Sequence, residues 1–445
     1  MLALALALAI GMPSSSTAQN GRVEAPPAAG SVVGLEANAR GKLVLLSRRR
    51  NRLRLSVASP GRSFGTATPI GRSEVLAPTY AEGYALSVSP SGGAAAAWVG
   101  WDRTDSGVDS DLGSDLSCCD QIRSTVIAPG LSAPIGRGLS ARGDNADEAF
   151  PMAAALPMGG HVVAWSGDGG AEYTLLDAMG RSTGRLPIAR DARYLVGVGA
   201  PADGTVGFTY AVPAERGNGV TIRSALRLPN GQVTAPRTVL SERELDDCCS
   251  LEGDDSLVSV FDGAGNETAA LVARKGPRTR LVATNRALRG RFDKPQLLDA
   301  CCTTSGGISV GDLEINERGG GVLVWHVEYP NGAVAVRYAV RRRRGRFGRA
   351  TTLIAPPKGS GAPAVSVVDA AVSPRRVAIA YKIYGERRPS ETYVRSGSLT
   401  EPLGPPRLIS SESDVEGPFV ALDGRDRLAV AWTDGQGTKV LRLDP

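Results

Sequence analysis

The cysteines are the residues whose spacing most clearly indicates chemistry. All six occur as adjacent pairs: Cys118-Cys119, Cys248-Cys249 and Cys301-Cys302. An even number of cysteines fits disulfides in an oxidising compartment. Each pair can close on itself as a vicinal disulfide, or neighbouring pairs can be cross-linked if their Cα atoms lie within about 7 Å. Thiolate ligation of a metal is a third option. Zinc sites usually space their cysteines apart, so disulfides are the favoured interpretation.

An aspartate-rich segment precedes the first cysteine pair. Within it, Asp109, Asp111 and Asp115 alternate in the manner of calcium-loop ligands, because hard carboxylate oxygens suit Ca²⁺. One acidic position is missing, the glycine is misplaced and no glutamate ends the loop. A solvated acidic loop is therefore favoured, and calcium is the only cofactor that the sequence suggests.

The sequence motifs of common catalytic sites are absent from this chain. The two histidines, His161 and His326, lie far apart in separate strand-like runs, which predicts structural roles. The chain contains no G-x-S-x-G, Walker or H-E-x-x-H motif. Acidic residues are too scattered to nominate a pair for glycoside hydrolysis. Enzymatic activity is left open, and a non-catalytic role is favoured.

The charge is modest for the length. The net charge is +6, and arginines cluster at residues 48–52 and 341–346. Each cluster lies between two strand-like runs, so we interpret both as solvated hairpin tips. This pattern does not predict a nucleic-acid partner, because stacking aromatic residues are scarce.

The N-terminus has the pattern of an export signal. Residues 2–10 are apolar, and a small-residue site predicts cleavage after Ala18. Residues 1–18 are thus a predicted signal peptide, and residues 19–445 are a predicted secreted domain. The apolar run is too short to span a bilayer, and no later run is long enough, so no transmembrane segment is expected.

One strand pattern recurs along the chain. A glycine-led alternating strand ends at Trp98, Trp165, Tyr210, Trp325, Tyr381 and Trp432, with weaker copies ending at Leu46 and Val272. The steps between successive ends are 52, 67, 45, 62, 53, 56 and 51 residues. Four of the five tryptophans fall at this one position.

Each copy belongs to a unit of four short strands. A strand such as SVVGLEANA or ISVGDLEIN precedes it, and two more follow, the fourth beginning near a glycine, as in GQVTAPRTVL at 231 or GRFDKPQLL at 290. Repeated units of about 50 residues with four strands predict an all-β fold, a β-propeller of antiparallel four-stranded blades. We expect eight blades. Seven is the alternative if a weak copy is not a blade, and a string of β-sandwiches predicts too long a period.

The last unit lacks its fourth strand. Its three strands fill residues 418–443, and then the chain ends. The segment 21–29 begins GRVEAPP, which matches GQVTAPR at 231. We therefore predict that residues 21–29 complete the last blade and close the ring.

Strand order also locates the cysteines. Residues 248–249 and 301–302 follow the fourth strand of consecutive units, whereas 118–119 separate a second strand from a third. Both kinds of connection leave a blade at the same end, so all three pairs are predicted on one face of the disc.

The units resemble the secreted sialidase-like and BNR-type β-propellers of bacteria. The resemblance rests on the tryptophan strand combined with a D-x-C-C blade start, here Asp246-Asp247-Cys248-Cys249 and Asp299-Ala300-Cys301-Cys302. The Asp box S-x-D-x-G-x-x-W of that family is missing, since the nearest segment, SPSGGAAAAW, lacks the aspartate. Its catalytic arginines and tyrosine cannot be assigned, so catalysis is not implied.

These observations predict an exported, non-catalytic, monomeric propeller that binds a protein or carbohydrate partner through the cysteine-bearing face. A glycan hydrolase is one alternative, and it requires two carboxyl groups roughly 5 to 10 Å apart in the funnel. A structural or adhesive surface module is the other, because the same fold supports many functions.

Overall fold

The computed structural model describes residues 21–27, 29–72, 83–101, 120–127, 135–140, 151–167, 169–214, 220–240, 257–275, 278–301, 306–356, 364–385, 388–412 and 415–444. These residues form eight four-stranded antiparallel sheets and contain no helix, so the predicted eight-bladed propeller is confirmed. No helix of the described residues is long and apolar enough to cross a membrane.

The strands follow one another from the inside to the outside of each blade. The first strand of the chain, β1 (Arg22–Glu24), is the exception because it belongs to the last blade. Blades 1 to 4 comprise, in order, β2 (Ser31–Ala37), β3 (Leu43–Arg49), β4 (Arg52–Ala58) and β5 (Thr68–Arg72); β6 (Tyr84–Val88), β7 (Ala94–Trp101), β8 (Asp120–Ile127) and β9 (Ile135–Gly138); β10 (Met152–Ala155), β11 (His161–Gly167), β12 (Gly170–Leu176) and β13 (Leu186–Ala189); β14 (Tyr194–Gly199), β15 (Val206–Pro213), β16 (Val220–Arg227) and β17 (Arg237–Leu240). Blades 5 to 8 comprise β18 (Leu257–Phe261), β19 (Glu267–Lys275), β20 (Arg278–Arg286) and β21 (Gln296–Cys301); β22 (Gly307–Ile315), β23 (Gly321–Glu328), β24 (Val334–Arg341) and β25 (Thr351–Ile354); β26 (Ala364–Val372), β27 (Arg376–Gly385), β28 (Arg388–Ser398) and β29 (Arg407–Ser410); β30 (Glu416–Leu422), β31 (Leu428–Asp434), β32 (Gly437–Leu443) and β1.

The N-terminal segment closes the ring. Strand β1 pairs antiparallel with β32, and Val23 lies opposite Leu441. The weak repeat copies that end at Leu46 and Val272 are second strands like the others, in β3 and β19. Closure of the ring by the N-terminal segment and the assignment of both weak copies to blades are therefore confirmed, and the seven-bladed alternative is excluded.

The apolar core is divided among the gaps between blades. Eight clusters of buried side chains occur, and each combines residues of two successive blades, including the pair formed by blades 8 and 1. The repeated aromatic position lies in these gaps; Trp98 and Trp325 are among the most deeply buried side chains. Apolar residues on both faces of a blade therefore pack it against its two neighbours.

Local turn chemistry sets where the first two strands of a blade reverse. Asn38 accepts hydrogen bonds at Oδ1 from the backbone N–H groups of residues 40 and 42, and Gly41 takes a φ of 86°. Only glycine adopts such a φ without steric cost. The Asn38 side chain also donates to the carbonyl of Ser89 in the next blade, and Asn316 donates likewise to Ser373. These turns therefore link neighbouring blades as well as strands.

The fourth strands are shorter than the sequence pattern indicates. Segments 231–236 and 290–295 form turns with one isolated bridge each, and the strands begin only after Pro236 and Pro295. Strand β25 begins at the same distance after Gly345, with Ala350 in place of the proline, so the late start is a property of the repeat and does not require proline.

The disc has two faces, which we name by their connections. The turn face carries the turns that join first to second and third to fourth strands. The loop face carries the remaining connections, including those that lead from one blade to the next. The innermost strands pack side by side around a central channel that joins the two faces.

Candidate functional site

Four carboxyl groups lie on innermost strands close to the turn face. Glu36 belongs to β2, Asp312 and Glu314 to β22, and Asp369 to β26. Glu36 and Glu314 stand two residues before the turn, and the two aspartates stand four residues before it. At about 3.4 Å per strand residue, all four lie roughly 7 to 14 Å inside the turn face.

These groups line the central channel. Blades 1 and 6 are not neighbours in the ring, yet the Asp312 charge raises the pKa of Glu36, an interaction that must cross the channel. Protein atoms crowd around Glu36 on all sides, but its side chain is exposed to water, and the other three are partly exposed. We therefore describe the groups as confined in a water-filled lumen. At the position two residues before the turn, the six other blades carry small or apolar residues, namely Ser87, Ala154, Gly199, Val260, Ala371 and Ala421.

The two aspartates have a structural task. Oδ2 of Asp312 accepts the backbone N–H of Ala370 at 2.6 Å, and Oδ2 of Asp369 accepts that of Val420 at 2.5 Å. Each bond reaches from one blade to the innermost strand of the next. The channel edge of such a strand has no neighbouring strand to pair with, so the carboxylate satisfies an otherwise unpaired donor.

Neither glutamate accepts such a backbone hydrogen bond from the described residues of a neighbouring blade. Among the described residues, Glu36 accepts only the N–H of Ala37, its own neighbour in the chain. Glu314 accepts no hydrogen bond from the described residues, and its pKa is raised well above its usual value, first by burial and then by the charges of Asp312, Glu36 and Asp369. These two side chains are therefore the ones that remain for a ligand.

Confinement keeps part of the cluster protonated at neutral pH. Burial, followed by the charge of Asp312, raises the pKa of Glu36 to about 7. Burial also raises the pKa of Asp312 to about 6, although two backbone N–H groups oppose that shift. For Asp369, burial raises the pKa well above its usual value, and Asp312 adds to the effect. The groups titrate together, so the cluster presents both proton donors and acceptors near pH 7.

Replacing Glu36 by glutamine is expected to stabilise the protein at pH 8 and to change little at pH 4. The folded pKa is about 7, against about 4.3 in an unfolded chain. Between these values the folded state binds more protons, so the stability present below pH 4 is lost as the pH rises toward 7. Glutamine does not titrate and escapes this loss.

Thermal unfolding at both pH values tests this expectation. Because water reaches Glu36, we expect a gain in melting temperature of only about 1 to 2 °C at pH 8. Glu317→Gln, at an exposed turn-face position, is the matched control and should show no such pH-dependent gain. Equal melting temperatures for wild type and Glu36→Gln at pH 8 would contradict the assignment.

The histidines take no part in this cluster. His161 in β11 is completely buried, and its Nδ1 lies 2.9 Å from Oγ of Ser87. Burial lowers the pKa of His161 to about 4, so the ring is neutral at physiological pH. His326 lies three blades away in β23. Their separation agrees with the structural roles that the sequence indicates.

The residues singled out from the sequence lie mostly outside the described residues. This holds for the signal segment, for Asp109, Asp111 and Asp115, and for Cys118, Cys119, Cys248, Cys249 and Cys302. Cys301 ends β21 and is disulfide-bonded, and its partner is a cysteine outside the described residues. The pairing scheme and the calcium loop stay predictions. Within the described ranges, no group of three His, Cys, Asp or Glu side chains is placed to hold a metal ion.

Sequence reasoning missed the channel carboxyls, although a signal was present. The first strands of units 1 and 6 read LEAN and LEIN, with a glutamate two residues before the turn asparagine in both. An acidic residue in an innermost strand is unusual for a pattern that is otherwise apolar. That repetition identifies Glu36 and Glu314 once the strand is known to face a channel.

Comparisons with known proteins found only distant similarities to solved structures. No protein-family model matches the chain, and no curated protein matches it. Among solved structures, the BP39L lectin from Burkholderia pseudomallei shows 12% identity over 88% of this chain and 99% of that one, with a TM-score of 0.48. The polysaccharide lyase Uly1 shows 9% identity over 97% and 94%, with a TM-score of 0.47. The β-propeller domain of the Trilobed protease from Pyrococcus furiosus shows 11% over 85% and 100%, with a TM-score of 0.43.

Similarities at this level do not indicate what this chain binds. The resemblance to sialidase-like and BNR-type propellers stays a prediction, since no family match supports it. The structure itself shows an eight-bladed propeller with a carboxyl-lined channel.

Proposed function

We propose that the chain is an exported, non-catalytic propeller that binds a carbohydrate at the turn-face end of its central channel. The observation that carries this proposal is the cluster of Glu36, Asp312, Glu314 and Asp369 in a water-filled lumen. Sugar hydroxyls both donate and accept hydrogen bonds. A partly protonated carboxyl cluster offers both kinds of partner, and Glu36 and Glu314 are free to supply them.

A carbohydrate suits the cluster better than a cation does. Protonation near neutral pH removes part of the negative charge that a cation requires. A few polar groups that fix the orientation of the ligand are typical of sites for neutral organic ligands. The proposal moves the ligand from the loop face to the turn face, and binding at the loop face stays an untested prediction.

A glycan array probed with the mature chain tests the proposal. The double variant Glu36→Ala/Glu314→Ala should weaken binding to the selected glycan about 10-fold or more, because each carboxyl hydrogen bond contributes about 1.5 to 3 kcal/mol. Glu317→Ala/Glu401→Ala removes two exposed turn-face carboxylates outside the channel and should stay within about twofold of wild type. Equal binding by both double variants, or no glycan bound by wild type, would refute the proposal.

A glycan hydrolase is the second candidate, and the raised pKa of Glu36 favours it. A carboxylic acid with a pKa of about 7 can protonate the leaving oxygen of a glycosidic bond, while Asp312, whose pKa is about 6, accepts a proton from the attacking water. The bound glycan should then release reducing ends, with Glu36→Gln abolishing release but not binding. If the protein binds the glycan but releases no reducing ends, the channel is a binding site and not the active site of a hydrolase.

A further inference from the structure

The turn face carries a dense group of exposed arginines around blades 5 and 6. We call it the arginine surface: Arg289, Arg291, Arg318, Arg342, Arg343 and Arg346, all exposed. They come from the turns after β20, β22 and β24, which lie side by side on neighbouring blades. The sequence interpretation of residues 341–346 as a solvated hairpin tip is correct for residues 342–346, which are exposed, but Arg341 is buried.

The turn after β24 is held rigidly in place. Nε of Arg341 donates to the carbonyl of Gly319 at 2.9 Å, and its guanidinium lies over the ring of Phe347 at 5.4 Å. The Asn285 side chain of blade 5 donates to the carbonyl of Gly345 at 3.2 Å. Arg342 reaches the carbonyl of Thr400 in blade 7 at 3.1 Å. Since the turn is attached to both neighbouring blades, ligand binding does not have to order its backbone.

The positive charge of this surface is not neutralised within the described residues. The carboxylate of Asp262, in the turn that follows β18 of blade 5, is engaged by Arg344. None of the six residues of the arginine surface forms an ion pair with a described carboxylate. Exposed acids close by in sequence are Asp293 and Glu317, which leaves the surface strongly positive.

The chemistry of the surface selects the class of partner. Guanidinium groups form paired hydrogen bonds with sulfate, phosphate and carboxylate groups. Single-stranded nucleic acid would need exposed aromatic rings for stacking. Here Phe347 is buried and Phe292 lies under Arg286, 5.0 Å from its guanidinium. A membrane surface would be helped by apolar side chains, but the exposed turn-face methionines, Met158 and Met179, belong to blade 3.

We propose that the arginine surface binds an anionic polysaccharide whose sulfate or carboxylate groups contact several turns at once. Charge spread over adjacent blades matches a repeating anionic chain better than a single small anion. This site is separate from the channel and carries the opposite charge. It goes beyond the carbohydrate binding proposed above and does not depend on it.

The test measures binding of the mature chain to dextran sulfate, with uncharged dextran as the reference. The triple variant Arg342→Ser/Arg343→Ser/Arg346→Ser should lose roughly 10- to 100-fold in affinity, which corresponds to about 1.4 to 2.7 kcal/mol for three exposed contacts. The matched control Arg49→Ser/Arg50→Gly/Arg52→Ser removes three exposed arginines from the loop face. Glycine suits residue 50 because its φ is 58°. The control should change affinity by about threefold or less.

Other outcomes decide against the proposal. Equal losses in both triple variants would mean that only overall charge matters. Vesicles of phosphatidylserine or single-stranded DNA that bind more tightly than dextran sulfate at the same salt concentration would assign the surface to another partner. Uncharged dextran competing as well as dextran sulfate would also overturn it. Glu36→Ala/Glu314→Ala should bind dextran sulfate normally, so failure of the channel proposal remains distinguishable.

Discussion

Replacing Arg286 by methionine is expected to lower the free energy of unfolding by about 3 to 5 kcal/mol, because it leaves a buried carboxylate without its counter-charge. Nε of Arg286 lies 2.7 Å from Oε2 of Glu267, and the two side chains are 1% and 0% exposed. Removing one partner of such a pair costs far more than the pair itself contributes.

The pair is the centre of a network that joins blades 4 and 5. Thr209 and Ser259 donate to Oε1 of Glu267 at 2.6 and 3.1 Å, and Ser224 donates to Oε2 at 2.7 Å. Thr209 and Ser224 belong to blade 4, whereas the other three residues belong to blade 5. Loss of Arg286 therefore weakens an interface between blades and not only one side-chain contact.

Urea unfolding of the mature chain measures this effect. The control is Arg344→Met, which breaks a pair whose arginine is 56% exposed and should cost about 1 kcal/mol or less. The double variant Glu267→Gln/Arg286→Met should lose less than the sum of the two single losses, since no unpaired charge is left buried. Similar losses from Arg286→Met and Arg344→Met would contradict the buried-pair interpretation.

Deleting residues 1–24, so that β1 is lost, is expected to destabilise the ring by about 2 to 4 kcal/mol and to promote self-association. The deletion removes a three-residue ladder with β32 and the ion pair between Glu24 and Arg442, at 2.5 Å. Two to three backbone hydrogen bonds at about 1 kcal/mol each account for most of the loss. It also exposes β32 as an edge strand that can pair with another chain.

Melting temperature and sedimentation of two shortened chains test this prediction. A chain that begins at Gly21 keeps β1 and should behave like the mature protein. The chain that begins after Glu24 should melt earlier and sediment partly as larger species. If both chains behave alike, β1 does not stabilise the ring.

The architecture was readable from the sequence because its signals are local. Alternation of apolar residues, glycines at turns and a recurring aromatic position each depend on a few neighbouring residues. The copies ending at Leu46 and Val272 lack an aromatic residue but keep the alternation, and both are true second strands. The fourth strands β17, β21 and β25 begin six residues after the glycine that opens their sequence pattern, which shows why strand ends are harder to predict than strands.

The closing strand shows where local pattern stops being sufficient. The match between GRVEAPP and GQVTAPR correctly identified the segment that closes the ring, but it did not determine which residues of β32 the segment pairs with. Val233 bridges Arg227 at the very end of a third strand, whereas Val23 pairs with Leu441, two residues before the end of β32. Register depends on contacts with a strand that is more than 400 residues away in sequence, and those contacts are not written in the segment itself.

The candidate sites were decided by the tertiary structure, for the same reason. The sequence alone predicted that this chain forms blades and which segment closes the ring, and it favoured eight blades over seven. Only the ring brings Glu36 of blade 1 across the channel from Asp312 and Glu314 of blade 6, and only adjacent blades assemble the arginine surface from three turns. Hydrophobic alternation encodes how each strand packs, but raised pKa values and concentrated charge arise from residues that are distant in sequence and close in space.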